Sequence, residues 1–310
     1  MKKCYFFVDD VIWCLRDIAR QKSKSIFDQH FLKALKKAHD MYGLKVQLNL
    51  FYRTDFYYGM DEFTLAEMPD TYKKEWEENS DWLRFGFHSL QEFPDYPFVN
   101  ADYDDVKKVL DLIMGEVKRF AGEKSFAKAV LTHWLPISKE GCQAIKDSGI
   151  NLVYASTGDK SEYTGDPSVL PYGHAQRLLN NRKPETGLFI RGDGGKAIDN
   201  SICAYNHLPD EIENVMTYNF GMHKDEETGL FFKRFGNLPA LNLLDLAETE
   251  PLFKNVTDKE YIGYGTHEQY SYPEYFAYQS DSEEKLLTSA KVLYDAGYEY
   301  FFIEELVENM

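Results

Sequence analysis

The chain is short of several things, and each shortage removes a class of function. Cysteine is scarce: Cys4, Cys14, Cys142 and Cys203 are the full set in 310 residues, with no Cys-x-x-Cys spacing. Four thiols are too few to staple a chain of this size, so reduced, mostly buried cysteines and a cytoplasmic location are expected. Positive charge is short as well. With 35 Lys and Arg against 51 Asp and Glu, the net charge is −16, which repels polyanions and disfavours nucleic acid and anionic membrane surfaces as partners. Long hydrophobic runs are missing. The apolar run after Lys2-Lys3 stops after five residues at Asp9-Asp10, too short for a signal peptide, and no uncharged stretch approaches the roughly 20 residues that span a bilayer. There is no Walker motif, nucleophile elbow, internal repeat or low-complexity segment; Gly192-Asp193-Gly194-Gly195 lacks phosphate-loop spacing and reads as a turn.

What is present is an alternation of helix and strand. Hydrophobic residues make up 44% and aromatics 15%, enough for an ordered globular core. Three times a helical pattern ends at a glycine and runs into an apolar, β-rich segment, as expected where glycine takes the left-handed residue after a helix. The helices are 28–42, 138–148 and 281–296, ended by Gly43, Gly149 and Gly297; the strands that follow are 46–51, 151–155 and 300–303. Further strands are predicted at 4–8, 83–87, 128–132 and 261–266, and a longer helix at 102–120 presents Val106, Val109, Leu110, Ile113 and Val117 on one face. Such alternation implies parallel strands with helical crossovers. Length and strand count favour a single α/β domain over 1–310, a distorted barrel of seven or eight β/α units, with an open doubly wound sheet as the alternative. Residues 156–236 break the rhythm with many glycines and prolines and read as a loop-rich insertion capping the barrel mouth.

In a barrel the C-terminal strand ends converge on one mouth, so polar residues there can meet despite their separation in sequence. The first strand ends in Asp9-Asp10, the third in His88-Ser89, the fourth in His133-Trp134 and the penultimate in His267-Glu268-Gln269. A lone aspartate at such a place is usually a turn or cap residue. Two adjacent carboxylates repel, and a cation bound by one with the other acting as base resolves the conflict. His88 and Glu92 have the spacing of two ligands on one turn, and imidazole with carboxylate suits a borderline divalent ion; the alternatives are a packed histidine and a solvated charge. His133 and His267 each follow a threonine and would place a group titrating near neutral pH at the mouth. Trp134 offers a flat apolar face for a sugar ring, and Arg53, His207 and Glu268 are further candidates for substrate contact. Cys142 points from its helix to the core, against a cysteine nucleophile.

In order and content these motifs resemble the polysaccharide deacetylase family of metal-dependent carbohydrate esterases. Phe7-Val8-Asp9-Asp10 resembles its Asp-Asp motif, and His88-Ser89-Leu90-Gln91-Glu92 its His-Ser/Thr-x-x-His motif with Glu92 in place of the second histidine. His133-Trp134-Leu135-Pro136 is similar to Arg-x-Pro-Tyr without the arginine, and Tyr264-Gly265-Thr266-His267 to the strand that ends in a catalytic histidine. The likeness covers residues 4–155 and 258–305 and is strongest to a divergent branch of glycoside hydrolase or deacetylase proteins. It implies a distorted β/α barrel and a hydrolase of small or soluble N- or O-acetylated carbohydrates. It implies Asp9 as base, Asp10 and His88 as ligands with Glu92 or His133 completing the set, and His267 as acid. Zinc is the default ion, with iron, cobalt, nickel or manganese fitting the same donors. Two other expectations stand beside it: a metal-free glycoside hydrolase pairing Asp9 or Asp10 with Glu268 or Glu92, and a carbohydrate-binding barrel without catalysis.

Overall fold

The computed structural model describes residues 2–55, 61–93, 97–98, 101–134, 137–154, 221–233 and 238–307. A parallel sheet runs in the order β3-β2-β1-β8, from β1 (Lys2–Val11), β2 (Val46–Phe51), β3 (Leu83–Ser89) and β8 (Tyr261–His267); β9 (Tyr298–Tyr300) pairs with the first residues of β1. A second sheet runs β4-β5-β7-β6, from β4 (Ala129–Val130), β5 (Leu152–Tyr154), β6 (Met222–Lys224) and β7 (Phe231–Lys233), and only its β6–β7 pair is antiparallel. A parallel bridge from Phe85 to Phe126 and an N–H bond from Ala127 to Phe85 link the two. The molecule is thus the expected mixed α/β type. Among the described residues the strand ladder lies in two sheets and does not run as one ring.

Helices α1 (Trp13–Gln21), α2 (His30–Tyr42), α3 (Lys73–Glu78), α4 (Tyr103–Phe120), α5 (Lys139–Asp147), α6 (Leu246–Lys254) and α7 (Ser282–Asp295) separate the strands. Their ends follow local chemistry. Asp102 accepts from Asp105 N and Ser138 from Gly141 N, satisfying free donors at the starts of α4 and α5, and Gly43 takes φ +70 at the end of α2. Two departures from the sequence reading stand out. The fourth strand is only two residues long, and 221–233, expected to be loop, contributes β6 and β7 to the sheet because Phe231 and Phe232 alternate between its two buried faces. The remainder of the expected cap, 156–220 with His207 and Cys203 and 234–236, lies outside the described residues.

Both faces of the strands are buried, as parallel sheets require. Cys4, Phe6 and Val8 face the helices; Tyr5 and Phe7 face the other way and meet Tyr154 of the second sheet at 5.2 and 5.4 Å between ring centroids. Since β1 and β5 are not hydrogen-bonded neighbours, the sheets curl until their inner faces touch. No helix among the described residues is long and apolar enough to cross a membrane.

Candidate metal centre

Two irregularities in the ladder build the centre. In regular pleating Asp9 and Asp10 would point to opposite faces. Between Val8 and Val11 the register advances three residues on β1 against two on β2 (Leu48 to Leu50), so β1 carries one extra residue, and Asp10 adopts φ +60. A short polar side chain tolerates that left-handed conformation better than most. β3 is bulged in turn: Leu50 pairs with Phe87 but Phe51 with Ser89, leaving His88 as the unpaired residue. Bulges re-aim side chains, and here they turn Asp10 and His88 toward one another. His133 lies just past β4, held by its N–H to the His88 carbonyl at 3.1 Å.

Asp10 Oδ1, His88 Nε2 and His133 Nδ1 form a buried triangle with sides of 3.1, 3.2 and 3.3 Å. The far ring nitrogens are committed elsewhere. His88 Nδ1 lies 2.6 Å from the Leu131 carbonyl, and His133 Nε2 lies 2.9 Å from the Glu92 carbonyl. A carbonyl can only accept, so both far nitrogens carry hydrogen, and the near nitrogens, His88 Nε2 and His133 Nδ1, face each other and the Asp10 carboxylate oxygen. Each of the three offers one ligand atom, and the three atoms lie close enough together to hold a single cation. Tetrahedral geometry with bonds of about 2.0 to 2.1 Å separates ligand atoms by about 3.3 Å, so the triangle fits a divalent ion with no rearrangement. Backbone carbonyls orienting the far nitrogens are the usual support of histidine ligands.

Electrostatics agree with the geometry. Burial raises the Asp10 carboxyl, but the His133 and His88 hydrogen bonds outweigh it and hold Asp10 well below the usual carboxylate range. Burial lowers His88, yet Asp9 and Asp10 beside it raise it overall. Burial lifts Asp9, reinforced by the charge of Asp10 and opposed by His88, His267 and an Asn49 hydrogen bond. Asp9 is therefore the more basic of the two aspartates. Phe51 packs on both imidazoles, at 5.4 Å from His88 and 5.0 Å from His133, keeping the site apolar on that side.

The other candidates fall in different places. His267 pairs in register with Asp9 on the neighbouring strand, and Asn242 Oδ1 lies 3.0 Å from its Nδ1. Trp134 follows His133 at φ +58 with the two rings 5.9 Å apart. Arg53 sits past the end of β2 and donates to Gln91 Oε1 at 2.5 Å. Glu92 is buried, but its carboxylate is not part of the triangle; its backbone carbonyl holds His133 instead. Glu268, expected to bind substrate, is fully buried, with both oxygens accepting from Ile12, Trp13 and Cys14 N–H at 2.7 to 2.8 Å. The start of α1 has no side-chain cap of its own, and this carboxylate takes its free donors.

Four residues without a functional role in the sequence reading complete the surroundings. Asn49 donates to Asp9 Oδ1 at 2.7 Å and accepts from Gln47 Nε2 at 2.7 Å, and Gln47 also donates to the Ala129 carbonyl at 3.1 Å. Gly86 leaves room for this ladder, since a Cβ there would stand 2.4 Å from Gln47 Nε2 and 2.5 Å from Asn49 Oδ1. Gln269 donates to Asp10 Oδ2 at 2.8 Å. The sign was available: in Val46-Gln47-Leu48-Asn49-Leu50 two amides alternate with aliphatics in an otherwise buried strand, which marks a polar inner face. The three described cysteines are free and buried, and burial raises each thiol, so no thiolate nucleophile is present among them.

No family model matches the chain, and no curated protein sequence matches it. Among solved structures it aligns with the 4-α-glucanotransferase of Thermococcus litoralis at a TM-score of 0.52 and 10% identity, over 100% of this chain and 40% of that one. It also aligns with a family 4 acetyl xylan esterase from Clostridium thermocellum in complex with a cobalt ion, at a TM-score of 0.43 and 11% identity, over 99% of this chain and 91% of that one. The first is a likeness of fold.

Proposed function

We propose that the chain is a cytoplasmic metal-dependent hydrolase of the β/α-barrel type that removes acyl groups, most simply acetyl, from a small or soluble N- or O-acylated carbohydrate. The observation that carries the reading is the buried triangle of Asp10, His88 and His133, whose sides match the ligand spacing of a tetrahedral divalent ion. Three protein donors leave a fourth position, the arrangement of catalytic rather than structural sites. An ion held there would polarise an acyl carbonyl and acidify water. Asp9, lifted by burial and set beside the triangle, is the base that takes a proton from the attacking water. His267, across from Asp9 on the next strand, protonates the departing amine or alkoxide. Zinc is the proposed ion, and the carbohydrate class rests on the order of the sequence motifs. Of the two glutamates open to the metal-free alternative, Glu268 is engaged by the N–H groups of Ile12, Trp13 and Cys14, which leaves that reading to Glu92.

The test is ion content and acetate release together. Purified protein loaded with zinc should hold about one ion per chain and release acetate from N-acetylated or O-acetylated sugar oligomers. Asp10→Ala, His88→Ala and His133→Ala should each lose the ion. Asp9→Asn should keep it while turnover falls by about 100-fold to 10,000-fold, the range for a lost general base. Full occupancy in the triangle variants, or normal turnover in Asp9→Asn, would refute the assignment.

A further inference from the structure

The metal reading leaves open what keeps Asp10 pointing correctly, and the geometry points to the turn that follows β8. We infer that Gln269 is a positioning residue that makes Asp10 a one-oxygen ligand, with Glu268 beside it fixing the backbone that Asp10 hangs from. This inference rests on the proposed metal site and adds the element that shapes it.

The turn spans Glu268–Ser271, and its first two side chains reach back to neighbouring stretches, Gln269 to the end of β1 and Glu268 to the start of α1. Glu268 holds the N–H groups of Ile12, Trp13 and Cys14, beginning two residues after Asp10. Gln269 donates Nε2–H to Asp10 Oδ2 at 2.8 Å while Asp10 Oδ1 faces His88 and His133. The two carboxylate oxygens are thereby given different partners. One is occupied by an amide, and one is left for the ion. Without the amide, an aspartate at φ +60 on a bulge could rotate about χ2 and offer both oxygens, filling the position that substrate or water needs.

Gln269 is suited to this work and is engaged in no other among the described residues. It is buried, its Oε1 has no hydrogen-bond partner among them, and its side chain's one described hydrogen bond is to Asp10. A buried amide oxygen without a partner is costly, and the reverse orientation of the amide would set it against the Asp10 carboxylate. The polarity of the contact is therefore fixed: Gln269 donates and Asp10 accepts.

The experiment is a cobalt(II) titration of the whole chain, followed by visible absorption with a competing chelator, on wild type and Gln269→Met. Methionine keeps the length and burial of the side chain and removes the amide, of which the N–H donor is the part that is hydrogen-bonded. The expected result is cobalt binding weakened by about 10-fold to 100-fold, the usual effect of losing a hydrogen-bond partner of a ligand. The absorption bands should change as Asp10 gains freedom, while the metal-free melting temperature stays within about 2 °C of wild type. Unchanged affinity and spectrum in Gln269→Met, with normal uptake by wild type, would overturn this inference alone; no uptake by wild type would overturn the metal site and this with it. A second comparison separates positioning from general packing. In an Asp10→Ala background, which loses the ion on purification and is titrated at cobalt concentrations high enough to load the two remaining histidines, the methionine substitution should leave the weakened affinity unaltered, because its effect passes through Asp10. A further fall there would show that Gln269 acts by another route and would also overturn the inference.

Discussion

Replacing Glu268 by alanine should be among the most damaging single changes outside the metal triangle, although the residue touches no substrate. Its carboxylate accepts three consecutive N–H groups, from Ile12 and Trp13 at 2.8 Å and Cys14 at 2.7 Å, in a place with no access to water. Hydrogen bonds to a charged group contribute about 1.5 to 3 kcal/mol each. Against their sum stands the cost of burying the carboxylate, several kcal/mol after relaxation, which burial expresses as a raised Glu268 pKa. Breaking such a buried constellation from one side costs about 3 to 5 kcal/mol net. At about 2.1 cal/mol/K per residue, unfolding 310 residues carries an entropy of about 0.65 kcal/mol/K. Glu268→Ala should then lower the melting temperature of the metal-free protein by roughly 5 to 8 °C in calorimetry. Glu268→Gln, which keeps one acceptor oxygen, should lose about half as much. A fall below about 1.5 °C for the alanine variant, equivalent to about 1 kcal/mol, would refute the view that this carboxylate caps α1. A raised KM with no thermal effect would return Glu268 to the substrate-binding role expected from the sequence.

Two further outcomes follow from the inner face of the sheet. Gly86→Ala puts a methyl group 2.4 Å from Gln47 Nε2 and 2.5 Å from Asn49 Oδ1; both side chains are buried, so denaturant melts should show a loss of about 1 to 3 kcal/mol. The Asn49 bond to Asp9 should break with it, lowering turnover while zinc content holds, and a variant with wild-type stability would contradict the tight ladder. Glu304 is buried, and burial raises its pKa despite Arg84 at 3.0 Å and the Lys128 N–H. The folded state therefore holds its proton to higher pH than the unfolded chain, whose value is near 4.5, and the slope of stability with pH is negative across that window. The contribution is complete below about pH 4.5 and is lost as pH rises through the folded value. Urea melts from pH 4 to 8 on Glu304→Gln should lack this decline, and an identical pH slope in wild type and variant would rule it out.

Much of the fold was legible because its signals are local. Helix-glycine-strand junctions at Gly43, Gly149 and Gly297 need only a residue that accepts positive φ, and all three have it, at +70, +83 and +80. β6 and β7 were hidden for the opposite reason. Each is three residues long and gains its stability from a neighbour far away in sequence, with Phe231–Lys233 pairing to Leu152–Tyr154, so no periodicity could build up within either segment. The place of Glu268 was not legible, because adjacency says little at the end of a strand. Beside His267 in sequence, its carboxylate bonds at the start of α1, 254 to 256 residues earlier in the chain.

The triangle was half legible, and the missing half has a physical cause. Asp10 and His88 announce themselves by residue type at strand ends, but in a regular pleat Asp9 and Asp10 could not both face one site. A β-bulge supplies the extra residue, and a bulge is a property of two strands compared, invisible in either alone. The same holds for the third ligand. From the sequence, Glu92 stood where a second histidine would complete the motif, with His133 as the other choice. In the folded chain, the loop after β3 brings the Glu92 backbone rather than its carboxylate to the site, and that carbonyl takes the Nε2 hydrogen of His133. His133 is thereby left to aim Nδ1 at Asp10 and His88. Position 92 thus serves the centre through an atom every residue possesses, and its side-chain identity carries no information about that role. Glu92→Gln should accordingly leave the ion bound at wild-type affinity in a chelator competition. A loss of about 10-fold or more would mean that the carboxylate itself is a ligand and that the triangle is incomplete without it.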